Sequence, residues 1–308
     1  MHIWQQPSHV DRLERARRLD LAAVRRLWAD GVVIGVGREP SVLVTPATAG
    51  PDPWLIDGLD ALHAARQAFT GSVRLVTRPT AGTDYEPQRH LLLGLVDGRA
   101  WFIDRFDRPV GLELRRALPL LDPLQAGIAM AATALVAWHD AAGFCPACGG
   151  VTTVTAAGVS RRCGDCGRDL FPRTDPAIIV AVIDDHDRLL LARQSTWEPG
   201  RFSVLAGFLE AGESVEQAVH REIAEEVGLA VDRVEYVSSQ PWPFPRSLML
   251  GFRAHAGDTR LRLDGDEIAE ARWFDREECR QAVAAGRLLL PGPASIAFRL
   301  ITGWLERR

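Results

Sequence analysis

No hydrophobic run in this chain is long enough to cross a bilayer. The longest apolar stretch, Ala126 to Trp138, falls short of the roughly 20 residues that a membrane helix needs. Asp122 and Pro123 precede it and Gly143 follows it, so it reads as a buried helix of a soluble protein. Residues 1–20 are rich in Arg and Asp and lack the apolar core of a secretory signal. The chain also lacks a basic excess: Lys and Arg number 36 against 40 Asp and Glu, a formal charge of −4. That excludes the overall electrostatic footprint of a generic nucleic-acid binder and leaves a local basic patch open. Cysteine is scarce, 5 in 308 residues, and a chain of this length buries a core without disulfide staples. What is present is ordinary globular composition, 47% hydrophobic and 25% charged, in a length suited to about two domains. A soluble, cytoplasmic protein is expected.

Four of the cysteines form two Cys-x2-Cys pairs, Cys145/Cys148 and Cys163/Cys166. Two such knuckles at this distance set four thiolates around one ion, and zinc suits a soft, closed site. Gly149, Gly150, Gly164 and Gly167 permit the tight turns that each knuckle needs. Disulfides or redox chemistry are the competing uses, and a cytosolic chain has little need of structural disulfides. Four cysteines leave no open position for substrate, so the zinc is structural. Cys279 stands alone and reads as a small hydrophobe or a surface thiol.

Residues 1–140 read as a mixed α/β domain. Segments 31–37 and 41–45 look like strands, and 59–69 like a short helix. Segments 91–96 and 99–103 flank Asp97-Gly98, a type I′ hairpin signal. Residues 80–88 read as a loop. The ribbon occupies 141–172, and a second domain follows over 173–308. There the apolar run 176–183 predicts a buried strand. A turn follows at 184–187, where His186 reads as a solvated loop residue. Strands are expected over 188–193 and 202–206.

The next segment carries the chemistry. Ser214 and Gln217 form a capping-box pattern, and Gly228 sits where a helix would stop. Between them Val215, Val219, Ile223 and Val227 make an apolar stripe. Glu222 and Glu226 lie one turn apart with Glu225 beside them, and Arg221 is one turn before Glu225, placed to pair with it. Carboxylates clustered this closely repel one another, and a hard cation such as Mg²⁺ relieves the repulsion. A solvated acidic helix face is the bland alternative, but it does not account for the glycine-flanked loop 207–213 that leads into the helix. Further on, 239–247 reads SQPWPFPRS. Its three prolines stiffen two aromatics into a platform suited to stacking a planar ring. A polyproline-type partner ligand is the competing reading.

Gly207, Glu213, Arg221, Glu222, Ile223, Glu225, Glu226, Gly228 and Leu229 match the Nudix box G-x5-E-x7-R-E-U-x-E-E-x-G-U. With the zinc ribbon and the SQPWPFPxS signature, the chain resembles the NADH pyrophosphatase subfamily of the Nudix hydrolases. The resemblance implies an α/β fold: a Nudix α/β/α sandwich with a zinc ribbon and an N-terminal mixed α/β domain. It implies hydrolysis of the pyrophosphate of NADH or NAD, with NAD-cap removal from RNA 5′ ends as a related activity. It also implies a homodimer with the substrate site near its interface. By the same resemblance Glu222, Glu225 and Glu226, the Ala206 carbonyl and Glu267 would hold Mg²⁺ or Mn²⁺, with Arg221 alongside. The general base stays open among Glu226, Glu225 and Glu267. Gln240, Pro241, Trp242, Pro243, Phe244, Pro245, Arg246 and Ser247 would meet substrate, together with Phe171, Phe208 and the Ala297 backbone. For Glu267 an exposed acidic loop competes, and for Phe171 and Phe208 core packing does. Phe171 stands where the family tends to have a tyrosine, so its hydroxyl is lost. Gly158 stands where some relatives have a glutamate, which puts a polar contact there in doubt. Two rival functions remain: a Nudix hydrolase of ADP-ribose or diadenosine polyphosphates, and a zinc-ribbon nucleic-acid-binding sensor of NAD.

Overall fold

The computed structural model describes residues 8–13, 19–46, 72–263 and 265–307; the helix expected over 59–69 lies outside them. The chain divides into two compact units, Met1–Thr174 with Pro243–Arg246, and Asp175–Trp242 with Ser247–Arg308.

In the first unit α1 (Leu21–Ala29) is capped by Asp20, which accepts from Ala23 N–H. Next come β1 (Val32–Gly37), β2 (Ser41–Val42), β3 (Val44–Pro46), β4 (Val73–Leu75), β5 (Thr77–Pro79), β6 (His90–Val96), β7 (Arg99–Arg105) and β8 (Leu112–Glu113). The one strand expected over 41–45 is broken at Leu43, whose N–H goes back to the Gly35 carbonyl. The main sheet runs β6-β7-β1-β2-β8, with β5 also on β1, and β3 pairs β4 separately. The β6–β7 hairpin turns on Asp97 (φ 50°) and Gly98 (φ 77°), the two left-handed residues that a type I′ turn requires. After a short α2 (Leu114–Ala117) comes α3 (Pro123–Ala141), capped by Asp122 through Gln125 N–H with Pro123 at its first position. Among the described residues no helix is long and apolar enough to cross a membrane.

The ribbon closes this unit: β9 (Thr152–Thr155), a 3₁₀ turn (Ala156–Gly158), β10 (Ser160–Cys163) and β11 (Asp169–Leu170). It is tied to α3 by a buried network. His139 Nε2 donates to the Gly158 carbonyl at 2.7 Å, and Arg161 donates to His139 Nδ1 at 3.2 Å and to the Thr152 carbonyl at 2.9 Å. Gly158 has φ 102° and faces Leu91 so closely that any side chain there would collide.

The second unit holds β12 (Asp175–Asp184), β13 (Leu189–Gln194), β14 (Leu205–Phe208), α4 (Val215–Val227), β15 (Asp232–Trp242), β16 (Ser247–Ala256), β17 (Ile268–Phe274), α5 (Arg276–Ala284) and α6 (Ile296–Leu305). Its sheet runs β15-β16-β12-β13-β17, with β14 antiparallel to β12. Pleating sends the apolar run of β12 both ways. Ile178, Val180 and Val182 meet Val219, Ile223 and Val227 of α4, while Ile179 and Ala181 meet α5 and α6 through Cys279, Ile301 and Trp304. The result is an α/β/α sandwich. Each fully buried aliphatic side chain contributes roughly 1.5–3 kcal/mol. Cys279 is core, and burial pushes its thiol up to about 11.

The strand expected over 202–206 is displaced. Ser203 makes only an isolated bridge to Ala192, and the ladder to β12 begins at Leu205, opposite Val180.

Candidate active site

The ribbon builds its cluster from local turns. Gly149 N–H bonds the Cys145 carbonyl at 2.9 Å, Gly167 N–H bonds the Cys163 carbonyl at 3.2 Å, and both glycines take positive φ (76° and 69°). The four sulfurs lie within 4.8 Å of one another, with Cys145–Cys166 at 3.7 Å and Cys148–Cys163 at 3.5 Å. Zinc–sulfur bonds of about 2.3 Å in a tetrahedron separate sulfurs by roughly 3.8 Å, so the thiols fit zinc. Backbone N–H groups of Ala147 and Cys148 aimed at Cys145 pull its thiol down to about 7, while Cys148, against the pull of the Gly150 N–H, is pushed up to about 12 by hydrogen bonds shared with Cys166 and Cys163, so the cluster holds its proton on one sulfur.

In the second unit, α4 opens with both halves of a capping box. Ser214 Oγ accepts from Gln217 N–H at 3.2 Å, and Gln217 Oε1 accepts from Ser214 N–H at 2.9 Å. Gly228 ends the helix at φ 69°. One face buries Val219, Ile223 and Val227, and the neighbouring positions carry Glu222, Glu225 and Glu226. Glu226 is 4% exposed, whereas the Glu225 side chain is 61% exposed.

Arg221 organises this face. It forks onto both oxygens of Glu213 at 2.8 and 2.9 Å, and reaches Glu222 at 2.9 Å, Glu225 at 3.0 Å and the Phe208 carbonyl at 2.8 Å. The fork holds Glu213 down to about 2, with the Glu210 N–H assisting. Burial pushes Glu222 up; Arg221 opposes this, and the nearby charges of Glu225 and Glu267 add to it. The Glu222 carboxylate packs directly on Gly207, where any Cβ would overlap it. The glycine is therefore a cradle for a carboxylate. Glu226 is buried and Glu222 half-buried, while Glu225 and Glu267 are exposed; carboxylate oxygens under mutual repulsion are donors of the kind that a hard divalent cation takes.

Glu267 stands just before β17. Ser195 N–H bonds its carbonyl at 2.9 Å, and Gln194 Nε2 approaches its Oε1 at 3.4 Å. The register between β13 and β17 shifts at Arg193/Gln194. Such a bulge re-aims side chains at the end of a ladder. Ala206, on β14, pairs with Ile179. Phe208 is 57% exposed and Phe171 is half-buried. Gln240, Pro241 and Trp242 lie on β15, opposite Met249, Leu248 and Ser247. Gln240 is buried, as is Ala297 in the first turn of α6.

The hairpin tip, Pro243–Arg246, groups with the first unit. There the Arg115 guanidinium sits 4.4 Å from the Phe244 ring centroid, beside a cleft of about 540 Å³ lined by Glu39, Ser41, Glu113 and Arg116 as well.

The NADH pyrophosphatase zinc ribbon domain matches residues 140–171, and the NUDIX domain matches 173–290. A protein named NAD-capped RNA hydrolase NudC in Mycobacterium bovis is 43% identical over 314 residues, covering 96% of this chain and 92% of its own. The chain belongs to the NADH pyrophosphatase subfamily of the Nudix hydrolases. The NudC of Mycobacterium tuberculosis matches this Nudix hydrolase over the same lengths at 43%. Human NAD-capped RNA hydrolase NUDT12 matches at 41% over 202 residues, 62% of this chain and 44% of its own. A MutT Nudix hydrolase from Burkholderia pseudomallei aligns with 44% of this chain and 97% of its own, at 24% identity and a TM-score of 0.34.

For this Nudix hydrolase the box spacing pointed to the Arg221–Glu225 pair. It did not show that Arg221 also holds Glu213, Glu222 and the Phe208 carbonyl, or that Gln194 and Ser195 meet Glu267. The fixed positions of Glu213 and Arg221 in the box were the available signal for the first. The second depends on β13–β17 pairing across a long separation in sequence.

Proposed function

We propose that this chain cuts the pyrophosphate of NADH and NAD, giving NMNH or NMN and AMP, and removes NAD from the 5′ ends of capped RNA. The observation that carries this reading is the Arg221-tied glutamate face of α4 seated on Gly207. The relatives' activity, as their names give it, supports the substrate.

In this reading Glu222, Glu225, Glu226, Glu267 and the Ala206 carbonyl hold Mg²⁺ or Mn²⁺. When bound, the metal neutralises phosphate oxygens and lowers the pKa of an attacking water. Arg221 fixes Glu222 and Glu225 in place and, through Glu213, keeps the box loop folded over the helix. One carboxylate of Glu225, Glu226 and Glu267 takes the proton of water as the P–O–P bridge breaks. Pre-set positions of charge supply most of the acceleration. Pro241–Ser247 with Phe171, Phe208 and the Ala297 backbone receives the dinucleotide. The working protein is a cytoplasmic homodimer of three-part chains: a supporting domain over 1–140, the ribbon over 141–172 and the hydrolase over 173–308.

One assay tests this: purified protein with Mg²⁺ or Mn²⁺, given NADH, NAD, ADP-ribose and NAD-capped RNA side by side. AMP and NMNH from NADH are expected, and light scattering is expected to give twice the chain mass. Cleavage of ADP-ribose alone would move the chain to another Nudix substrate. Metal-independent NAD binding without turnover would make it a sensor.

A further inference from the structure

Gln240 is the second residue of the proline–aromatic motif, and the family resemblance assigns it to substrate. Its surroundings in the fold give it other work. The residue is 0% exposed. Its Nε2 donates to the Ala294 carbonyl at 2.7 Å, and its Oε1 accepts from the Ile296 N–H at 2.6 Å. Both ends of the amide are thus spent on one short backbone segment far away in sequence.

That segment opens α6. Ser295 caps the helix, accepting from Phe298 N–H at 3.2 Å and donating to the Gly292 carbonyl at 3.0 Å. The first four amide hydrogens of a helix have no partner within it. Here the Ser295 hydrogen goes to the Gly292 carbonyl at 3.0 Å, the Ile296 hydrogen to Gln240, and the Phe298 hydrogen to Ser295 Oγ. The fourth belongs to Ala297, the residue assigned above to meet substrate through its backbone. The turn is also fixed from below: Ile296 sits on Gly251 of β16, where a side chain would press on its Cδ1.

We propose that Gln240 is a positioning residue: it clamps the first turn of α6 to β15 and so sets where the Ala297 backbone stands, without touching the dinucleotide itself. This rests on the reading that Ala297 meets substrate. The physical reason is polar satisfaction. Without the amide, the Ala294 carbonyl and the buried Ile296 N–H lose their partners, and the turn must shift to find others.

The test compares wild type with Gln240→Met, which keeps the volume and loses both bonds, and Gln240→Glu, which keeps an acceptor for Ile296. Amide hydrogen exchange is followed without substrate, and KM and kcat are measured on NADH, NAD and ADP-ribose. In Gln240→Met, exchange at Ile296 is expected to rise at least about tenfold. KM is expected to rise about tenfold on all three substrates, with kcat within about twofold, as suits the loss of one hydrogen bond. Gln240→Glu is expected to fall between. A KM effect confined to one dinucleotide would mark direct contact and overturn the proposal. So would an Ile296 amide that exchanges freely in substrate-free wild type. If Gln240→Met does not fold, the wild-type exchange and Gln240→Glu decide. If no dinucleotide is cleaved by wild type, the proposed function fails, while protection at Ile296 still reports on the clamp.

Discussion

The ribbon gathers its four thiols with two tight turns, each complete within a few residues of chain, whereas the glutamates of α4 depend on Arg221 and on a glycine from another element. Among the described residues the thiols are the only group of three or more candidate ligands whose atoms lie within 4.8 Å of one another. The carboxylates of Glu213, Glu222 and Glu225 instead share Arg221 as countercharge. The difference follows from the ligands. Thiols share protons and hydrogen bonds with each other and can close up, as a structural site with no open position requires. Carboxylates repel, so these three gather only with a guanidinium between them.

Breaking the closed cluster is expected to have the largest effect. Cys163→Ser should take the protein from one zinc per chain to none, by elemental analysis, and unfold the ribbon, since apparent zinc-binding energies at such sites are on the order of 10 kcal/mol. Retention of stoichiometric zinc would show that three thiols suffice. Next comes the open cluster. Glu226→Gln should lower kcat on NADH by about 10³-fold and leave the zinc content unchanged. The two clusters would then be separable, the ribbon as structure and α4 as chemistry.

Gly207→Ala tests the cradle. The added methyl must displace the Glu222 carboxylate, and a loss of about 10²-fold in kcat with little change in melting temperature is expected. Unchanged kcat would mean that the Glu222 position does not matter to the reaction.

The smallest effect concerns the lock between α3 and the ribbon. Burial drives His139 from 6.5 down to about 3, with the Gly158 carbonyl opposing and Arg105 and Arg161 adding to the shift. The unfolded chain takes up a proton near 6.5 that the folded chain refuses until about pH 3. Stability therefore falls as pH drops through that window, at most about 1.4 kcal/mol per unit from this residue. Between pH 7.5 and 5, urea unfolding should show a loss of about 2 kcal/mol that His139→Gln lacks. Equal slopes in the two proteins would rule the lock out as a titrating element.

Much of this was legible in the linear pattern. The capping box of Ser214 and Gln217, the stop at Gly228, the type I′ turn at Asp97-Gly98 and the cysteine knuckles are local devices, set by residues a few positions apart. They appear in the structure where the spacing puts them. The expected strand over 202–206 slipped to Leu205–Phe208 because its partner, β12, lies far away in sequence and the ladder chooses its own start. The expected strand over 41–45 divides at Leu43 for a similar reason: Ser41 and Val42 pair with nearby β1, whereas Val44 pairs with Leu75 of β4.

By itself the sequence determined the paired cysteines and the helix face that carries the glutamates, because both depend on short-range periodicity and backbone preference. Only the tertiary structure decided what each side chain is held by: Arg221 forked on Glu213, the Glu222 carboxylate resting on Gly207, and Gln240 spent on the start of α6. Those contacts join segments that periodicity cannot relate. They exist because buried charges and amides must find partners wherever the packed sheet brings them.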